Sequence, residues 1–293
     1  MERLFSKILS KNKITSFIDL VRPWNSATVA LISLLGIKLA GDYLPNLWFI
    51  LPLIVFIIYN GSTALNDIFD IRVDTINMPF RPLERGSLKV KSVINFCIFS
   101  YILGNLIALL VSFQFFLSIL LMSLSGILYS MPPISLKDRG ILGNFDLGFA
   151  SAFTTLYAGY VISTNSLIIS YNILTSMIVL TILFTFFSIL KDFKDLKGDK
   201  IHKKRTIANT YGIRSASKIN IIGTLLFFPI TIITFYYLNI QSLLFIITSF
   251  SLFIALLLVE LKVLKSPTQQ TGEKAWGLGR FIFLIFILTL LFI

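Results

Sequence analysis

The sequence of 293 residues contains one cysteine and one histidine. Cys97 lies inside an apolar stretch, so a disulfide framework and a thiolate metal site are both excluded. His202 stands beside Lys203, Lys204 and Arg205 and reads as a solvated loop residue rather than a catalytic one. Acidic residues are scarce as well, 14 Asp and Glu against 26 Lys and Arg, for a net charge of +12. Low-complexity sequence and long linkers are missing, which predicts a single integral membrane domain over residues 1–293. A cleavable targeting segment is not expected. The basic start, with Leu4, Phe5, Ile8 and Leu9, has neither an apolar core nor a small-residue cleavage site. Residues 1–22 read instead as an amphipathic segment lying at a membrane interface.

Apolar residues dominate the rest: 56% of the chain is hydrophobic and the mean hydropathy is +0.85. A soluble domain is not so apolar. Spanning helices need roughly 20 apolar residues each, and nine such stretches are predicted at 24–41, 46–67, 93–111, 114–131, 144–163, 167–190, 217–237, 240–261 and 276–293. The third and fourth are separated only by Ser112, Phe113 and Gln114. Of the 26 basic residues, only Lys38 then falls near the face opposite the N-terminus. The positive-inside rule places that basic face, the N-terminus and the chemistry-bearing loops in the cytoplasm. Anionic lipid headgroups account for the positive charge without nucleic acid.

Against this background two acidic clusters stand out, Asn66-Asp67-Ile68-Phe69-Asp70-Ile71-Arg72-Val73-Asp74 and Asp192-Phe193-Lys194-Asp195-Leu196-Lys197-Gly198-Asp199. Carboxylates beside a bilayer are costly and mark function by default. Each cluster repeats Asp at i, i+3 and i+7, which on a helix stacks three carboxylates along one face. Such stacking is repulsive unless a cation intervenes. Hard oxygen donors without Cys or His point to Mg²⁺, an ion that commonly bridges carboxylates to a substrate phosphate. An enzyme handling a phosphorylated lipid follows from these residues alone.

Neighbouring segments add detail. Asn66 offers a further oxygen on the face of Asp70, and Pro79 and Pro82 stop the helix. Arg81 and Arg85 supply planar forks for phosphate. In the second cluster Lys191, Lys194, Lys197 and Lys200 interleave the acids, and Gly198 is expected to let the helix end where Asp199 turns inward. Tyr129-Ser130-Met131-Pro132-Pro133 and Lys137 lie on the same working face, with Tyr129, Ser130 and Lys137 able to hold diphosphate. Arg22-Pro23-Trp24-Asn25 opens the first span, as an interfacial anchor or as a substrate contact. An acidic triplet at the end of a helix in each half gives a weak internal repeat, in which the two triplets can face each other across a cavity.

Together these segments resemble the UbiA superfamily of intramembrane prenyltransferases. The family pattern NDxxDxxxDxxN…RP…G is met by Asn66, Asp67, Asp70, Asp74, Asn77, Arg81-Pro82 and Gly86, and DxxDxxGD by Asp192, Asp195, Gly198 and Asp199. The resemblance implies an all-α fold of nine helices around a lipid-open cavity, with both motifs holding Mg²⁺ against a prenyl diphosphate. By motif position Asn66, Asp67, Asp70, Asp192 and Asp195 form the metal shell. Arg22, Asn25, Arg72, Arg81, Tyr129, Ser130, Lys137 and Lys191 contact diphosphate, and Asp74 or Asp199 orients or deprotonates the acceptor. Cations would stabilise the departing diphosphate and aromatic walls the allylic cation.

The form of both motifs resembles the homogentisate and chlorophyll-type branch most, so an aromatic quinone-precursor acceptor is the first expectation. The alternative is transfer to geranylgeranylglyceryl phosphate in archaeal lipid synthesis; a bacterial or archaeal cell membrane is the expected location in either case. A cation transporter would place its acids at the bilayer midplane. A CDP-alcohol phosphatidyltransferase would carry Asp-Gly and Ala-Arg elements that this chain lacks. A membrane terpene cyclase on the same fold would consume prenyl diphosphate without an acceptor.

Overall fold

The computed structural model describes residues 13–41, 46–238, 240 and 242–293. Among the described residues the protein is all-helical, with one isolated parallel bridge between Arg139 and Arg205 and no strand. The helices are α1 (Lys13–Val21), α2 (Pro23–Ala40), α3 (Ile50–Asn77), α4 (Val90–Val111), α5 (Phe113–Ser130), α6 (Ile141–Gly148) and α7 (Thr154–Thr164). They continue with α8 (Tyr171–Phe187), α9 (Ile189–Asp192), α10 (Leu196–Ile201), α11 (Ile207–Tyr211), α12 (Ile213–Tyr237), α13 (Leu243–Lys265) and α14 (Gln269–Phe292).

Among the described residues seven helical stretches are long and apolar enough to cross a membrane, and eight if α1 and α2, bent by 43°, count as one. The stretch expected at 144–163 is the exception to the predicted nine. It is helical, but a π-helical turn at Phe149–Phe153 divides it into α6 of 8 residues and α7 of 11. The narrow gap at Ser112 is a sharp break, because Ser112 ends α4 and its Oγ accepts from the Phe115 amide at 3.1 Å to cap α5.

The largest departure from the predicted boundaries matters most for function. The apolar span predicted to end near residue 67 continues as one helix, α3, through the acidic motif to Asn77, 28 residues in all, just short of the stop expected at Pro79. At 1.5 Å per residue that is roughly 42 Å, longer than the ~30 Å hydrocarbon core. Its last turns exceed the length that the apolar layer requires, and they carry the first acidic motif.

Close helix contacts hold the motif in place. Gly36 on α2 and Gly159 on α7 oppose each other, and a Cβ on either would strike the other helix's backbone, at Leu156 O and Ser33 O respectively. Small residues let membrane helices approach this closely, where packing replaces the missing hydrophobic drive. At the far end Lys38 donates to the carbonyls of Leu290 (2.9 Å) and Leu291 (3.1 Å), satisfying groups the end of α14 leaves open. α1 turns Ile14 and Ile18 outward and buries Leu20. Arg85, read from sequence as a phosphate fork, instead ties this helix to the loop after α3 through Asp19 (2.8 Å) and Ser16 (3.2 Å). Leu4, Phe5, Ile8 and Leu9 lie outside the described residues.

Candidate active site

Helical spacing puts Asp67, Asp70 and Asp74 on one buried face of α3. Four other segments neutralise them. Arg22, before α2, pairs with Asp67. Arg81 donates to Asp67 at 3.1 Å and also pairs with Asp74. Asp70 is held by Lys137 at 2.9 Å and Lys204 at 2.5 Å, and Lys137 also donates to Asn66 Oδ1 at 3.0 Å.

The second motif does not form the continuous helical face that its spacing predicted. α9 ends at Asp192, the amides of Lys194 and Asp195 close a tight turn, and α10 begins at Leu196. The backbone bonds show why. In an unbroken helix Gly198 N–H would donate to Lys194 O. Here Gly198 N–H donates to Asn77 Oδ1 at 2.7 Å, and Lys194 O accepts from Gln269 Nε2 at 2.5 Å. Asn77 Nδ2 completes the tether by donating to Asp195 O at 2.8 Å. A Cβ at Gly198 would lie 2.6 Å from Asn77 Nδ2, so glycine serves this close approach and not the helix end expected of it. Asn77, the last residue of the first motif, thus fixes the position of the second.

Lys191 pairs with Asp192 at 2.6 Å and lies beside Tyr129. Asn144, on α6, donates to Ser188 Oγ at 3.0 Å and to Asp192 Oδ2 at 3.4 Å. Asp195 Oδ1 and Ser130 Oγ are buried with no hydrogen-bond partner, an arrangement that calls for a ligand. Asp199 is buried, and its carboxylate has no side-chain hydrogen bond among the described residues.

Two expected contacts are not brought in. Arg72 is exposed and makes no ion pair among the described residues, because two residues from Asp70 is about 200° around the helix. Asn25 accepts from Arg280 Nη1 at 2.6 Å, while Arg280 lies 5.4 Å over the Trp276 ring. His202 is exposed, as its surroundings in the sequence implied.

Sequence reasoning missed Lys204, which it had placed in a solvated basic run. Lys203 adopts a left-handed φ of 55°, and Lys204 N–H donates to Asp199 O at 2.9 Å, so the chain doubles back and directs Lys204 at Asp70. No sequence signal distinguishes Lys204 from its basic neighbours, because the turn at Lys203 sets its direction. Asn144 belongs to none of the motifs named from the sequence.

Burial sets the titration of the groups outside the spans. It pushes Asp199 up to about 7, with the neighbouring Asp195 adding to the rise. Burial lowers Lys137 below the usual lysine range, against the pull of Asp70. For Lys204 burial also acts downward, but Asp70 and Asp138 together raise it above that range. Glu84, whose two carboxylate oxygens are buried without partners, is pushed by burial up to about 7.

Among the described residues no three Asp, Glu, His or Cys side chains converge as a ready-made metal cluster. The first motif's carboxylates are engaged by protein cations instead. The donors are nevertheless the hard oxygens that suit Mg²⁺, and Asp195 Oδ1 is free to accept it. The composition of the site fits that ion.

Residues 28–287 match the model of the UbiA prenyltransferase family. The chain is 30% identical over 212 residues to digeranylgeranylglyceryl phosphate synthase of Thermococcus sibiricus, covering 72% of this chain and 73% of that one. It is 31% identical over 225 residues to the synthase of the same name from Sulfolobus acidocaldarius, covering 73% and 76%. The fold is similar to that of a UbiA homologue from Archaeoglobus fulgidus solved with DMAPP and Mg²⁺. That likeness has a TM-score of 0.68 at 20% identity, over 94% of this chain and 99% of the other. With two acidic motifs joined across α3 and α10 and a family match over nearly its whole length, the chain belongs to the UbiA prenyltransferase family.

Proposed function

We propose that this protein transfers a prenyl group from a prenyl diphosphate to the free hydroxyl of a glyceryl phosphate lipid, with Mg²⁺ as cofactor. The observation that carries the reaction class is the juxtaposition of the two motifs through Asn77. The acceptor reading rests on the relatives from Thermococcus and Sulfolobus, whose shared name favours a glyceryl phosphate over the aromatic acceptor expected first.

Asn66, Asp67, Asp70, Asp192 and Asp195 would hold Mg²⁺, which when bound screens the charge of the diphosphate. Arg22, Arg81, Lys137 and Lys204 now neutralise Asp67 and Asp70, and with an ion held there their N–H groups would be free to turn to phosphate oxygens. Lys191, Tyr129 and the unpartnered Ser130 Oγ complete the diphosphate pocket from the opposite wall. The C1–O bond breaks with its electron pair going to diphosphate, and the acceptor oxygen forms the new bond to C1. Fixed charges around the leaving group favour that charge development.

The acceptor's proton goes to Asp199. Asp74 is committed to Arg81, whereas the Asp199 carboxylate is buried, unpaired and near 7. A base poised near the working pH is best suited to take a proton. Asp74 serves by positioning Arg81.

The chain forms one membrane domain with nine spans, α1–α2 counting as one and the π-interrupted run α6–α7 as the ninth. Its N-terminus and site face the cytoplasm of an archaeal cell, the side the basic residues select.

A mass-spectrometric product screen tests the acceptor. Purified protein with Mg²⁺ and geranylgeranyl diphosphate is offered geranylgeranylglyceryl phosphate, homogentisate, dihydroxynaphthoate or hydroxybenzoate. Only the first is expected to gain a prenyl group; a prenylated aromatic instead would overturn the acceptor reading.

A further inference from the structure

Behind the acidic site, between the loop that follows α5 and the α11–α12 corner, lies a cavity of about 880 Å³. Its walls divide by chemistry. Ile134, Ile141, Phe186 and Ile219 give it an apolar side, and Arg139 and Arg205 a cationic one. The parallel bridge between these two arginines holds their backbones side by side. Unlike Arg22, Arg81 and Arg85, neither forms an ion pair among the described residues. Arg139 has one local anchor, Nη2 donating to Pro133 O at 2.9 Å.

Asp138 lines the same cavity and lies 3.4 Å from Lys204, which reaches Asp70 at 2.5 Å. The cavity is therefore separated from the first acidic motif by a single ion-paired chain of side chains. A ligand fixed at the arginines lies one layer of side chains from Asp70.

We propose that this cavity is the acceptor's headgroup site: Arg139 and Arg205 grip a phosphomonoester while the apolar wall carries the start of its hydrocarbon chain. Guanidinium forks match phosphate oxygens. Two unpaired arginines beside an apolar wall match a lipid that combines a dianionic head with an aliphatic tail. A soluble aromatic acid has no use for that wall, and the prenyl diphosphate has its own cations at the acidic motifs. The inference rests on the glyceryl phosphate reading and adds the place where that acceptor is recognised.

The test is steady-state kinetics of the full chain in phosphatidylcholine vesicles, with Arg139→Ala, Arg205→Ala and the double variant. A charge-assisted phosphate contact carries ~1.5–3 kcal/mol, so each single variant should raise the acceptor KM by about tenfold or more. The KM for prenyl diphosphate and kcat should stay within about twofold. Lysophosphatidate, which shares the head and tail but lacks the isoprenoid, should compete with the acceptor in the wild type and lose that competition in the double variant. Inorganic phosphate should compete much more weakly, because it makes no use of the apolar wall. An unchanged acceptor KM in the double variant overturns the site, as does an equal rise in the KM for prenyl diphosphate. Failure of the underlying reading looks different: the wild type itself would not prenylate the glyceryl phosphate. Circular dichroism of the variants in detergent establishes that altered kinetics do not come from unfolding.

Discussion

The two acidic motifs share the spacing i, i+3, i+7, yet they are built differently. The first lies on one uninterrupted helix and each of its aspartates is matched by a lysine or arginine. The second is broken between Asp192 and Leu196, leaves Asp195 Oδ1 unpartnered and keeps Asp199 without a side-chain bond. Identical spacing therefore does not fix identical geometry. The first motif is a wall whose three charges are all compensated, whereas the second compensates Asp192 through Lys191 and leaves Asp195 Oδ1 and, among the described residues, the Asp199 carboxylate without a hydrogen-bond partner. Asn77 allows the two to act together, because it satisfies backbone groups of the second wall from the end of the first.

The sharpest way to break the comparison is to remove one wall at a time. Asp67→Ala or Asp192→Ala should each abolish transfer, by at least about a thousandfold, while the protein remains folded in detergent. If activity survived in both, the two-wall account would fail. Next in size is the tether. Asn77→Ala should lower kcat by about 10- to 100-fold, as expected when a site shifts by about an ångström, with size-exclusion behaviour unchanged. Gly198→Ala should act like it by displacing the Asn77 amide.

Asp199 sharpens the contrast between a compensated and an open carboxylate. Its pKa is raised to about 7, so it carries a proton below that pH and can accept one above it. The account predicts an acid limb in kcat/KM with an inflection at about 7, or below it once Mg²⁺ is bound nearby, and loss of that limb in Asp199→Asn. Arg72→Ala should change activity by less than about twofold, because its side chain lies around the helix from the acidic face.

The smallest effect concerns Glu84. Its folded pKa is raised from 4.5 to about 7, so the native state binds the extra proton. Its contribution to stability therefore falls as pH rises from about 4.5 to 7. Replacing it with glutamine should flatten that dependence in thermal melts at pH 5 and pH 8.

Much of this was legible in the residues. Hydropathy located the apolar stretches to within a few positions except at 144–163, which a π-helical turn divides, at the start of α14, and at α3, whose polar and acidic turns after 67 extend the helix beyond its apolar span. Pro79 correctly marked where it stops. Arg22, Arg81, Lys137 and Lys191 could be singled out because each adjoins a motif or a helix end on the working face, and each pairs with a motif carboxylate. Lys204 could not, since its direction depends on the left-handed turn at Lys203, and a basic run in sequence does not disclose which member turns inward. Arg72 was misjudged for the opposite reason: nearness in sequence to Asp70 concealed its place on another face. The break in the second motif was likewise invisible, because it comes from a tertiary partner, Asn77, more than a hundred residues away.

The most direct test of the central claim is binding of a non-reactive prenyl thiodiphosphate to the wild type, Asp67→Asn and Asp192→Asn, titrated with Mg²⁺. If both walls hold one metal–diphosphate assembly, Mg²⁺ should strengthen binding in the wild type and each variant should lose that enhancement. Full Mg²⁺-dependent binding in either variant would contradict the account, because one wall would then suffice.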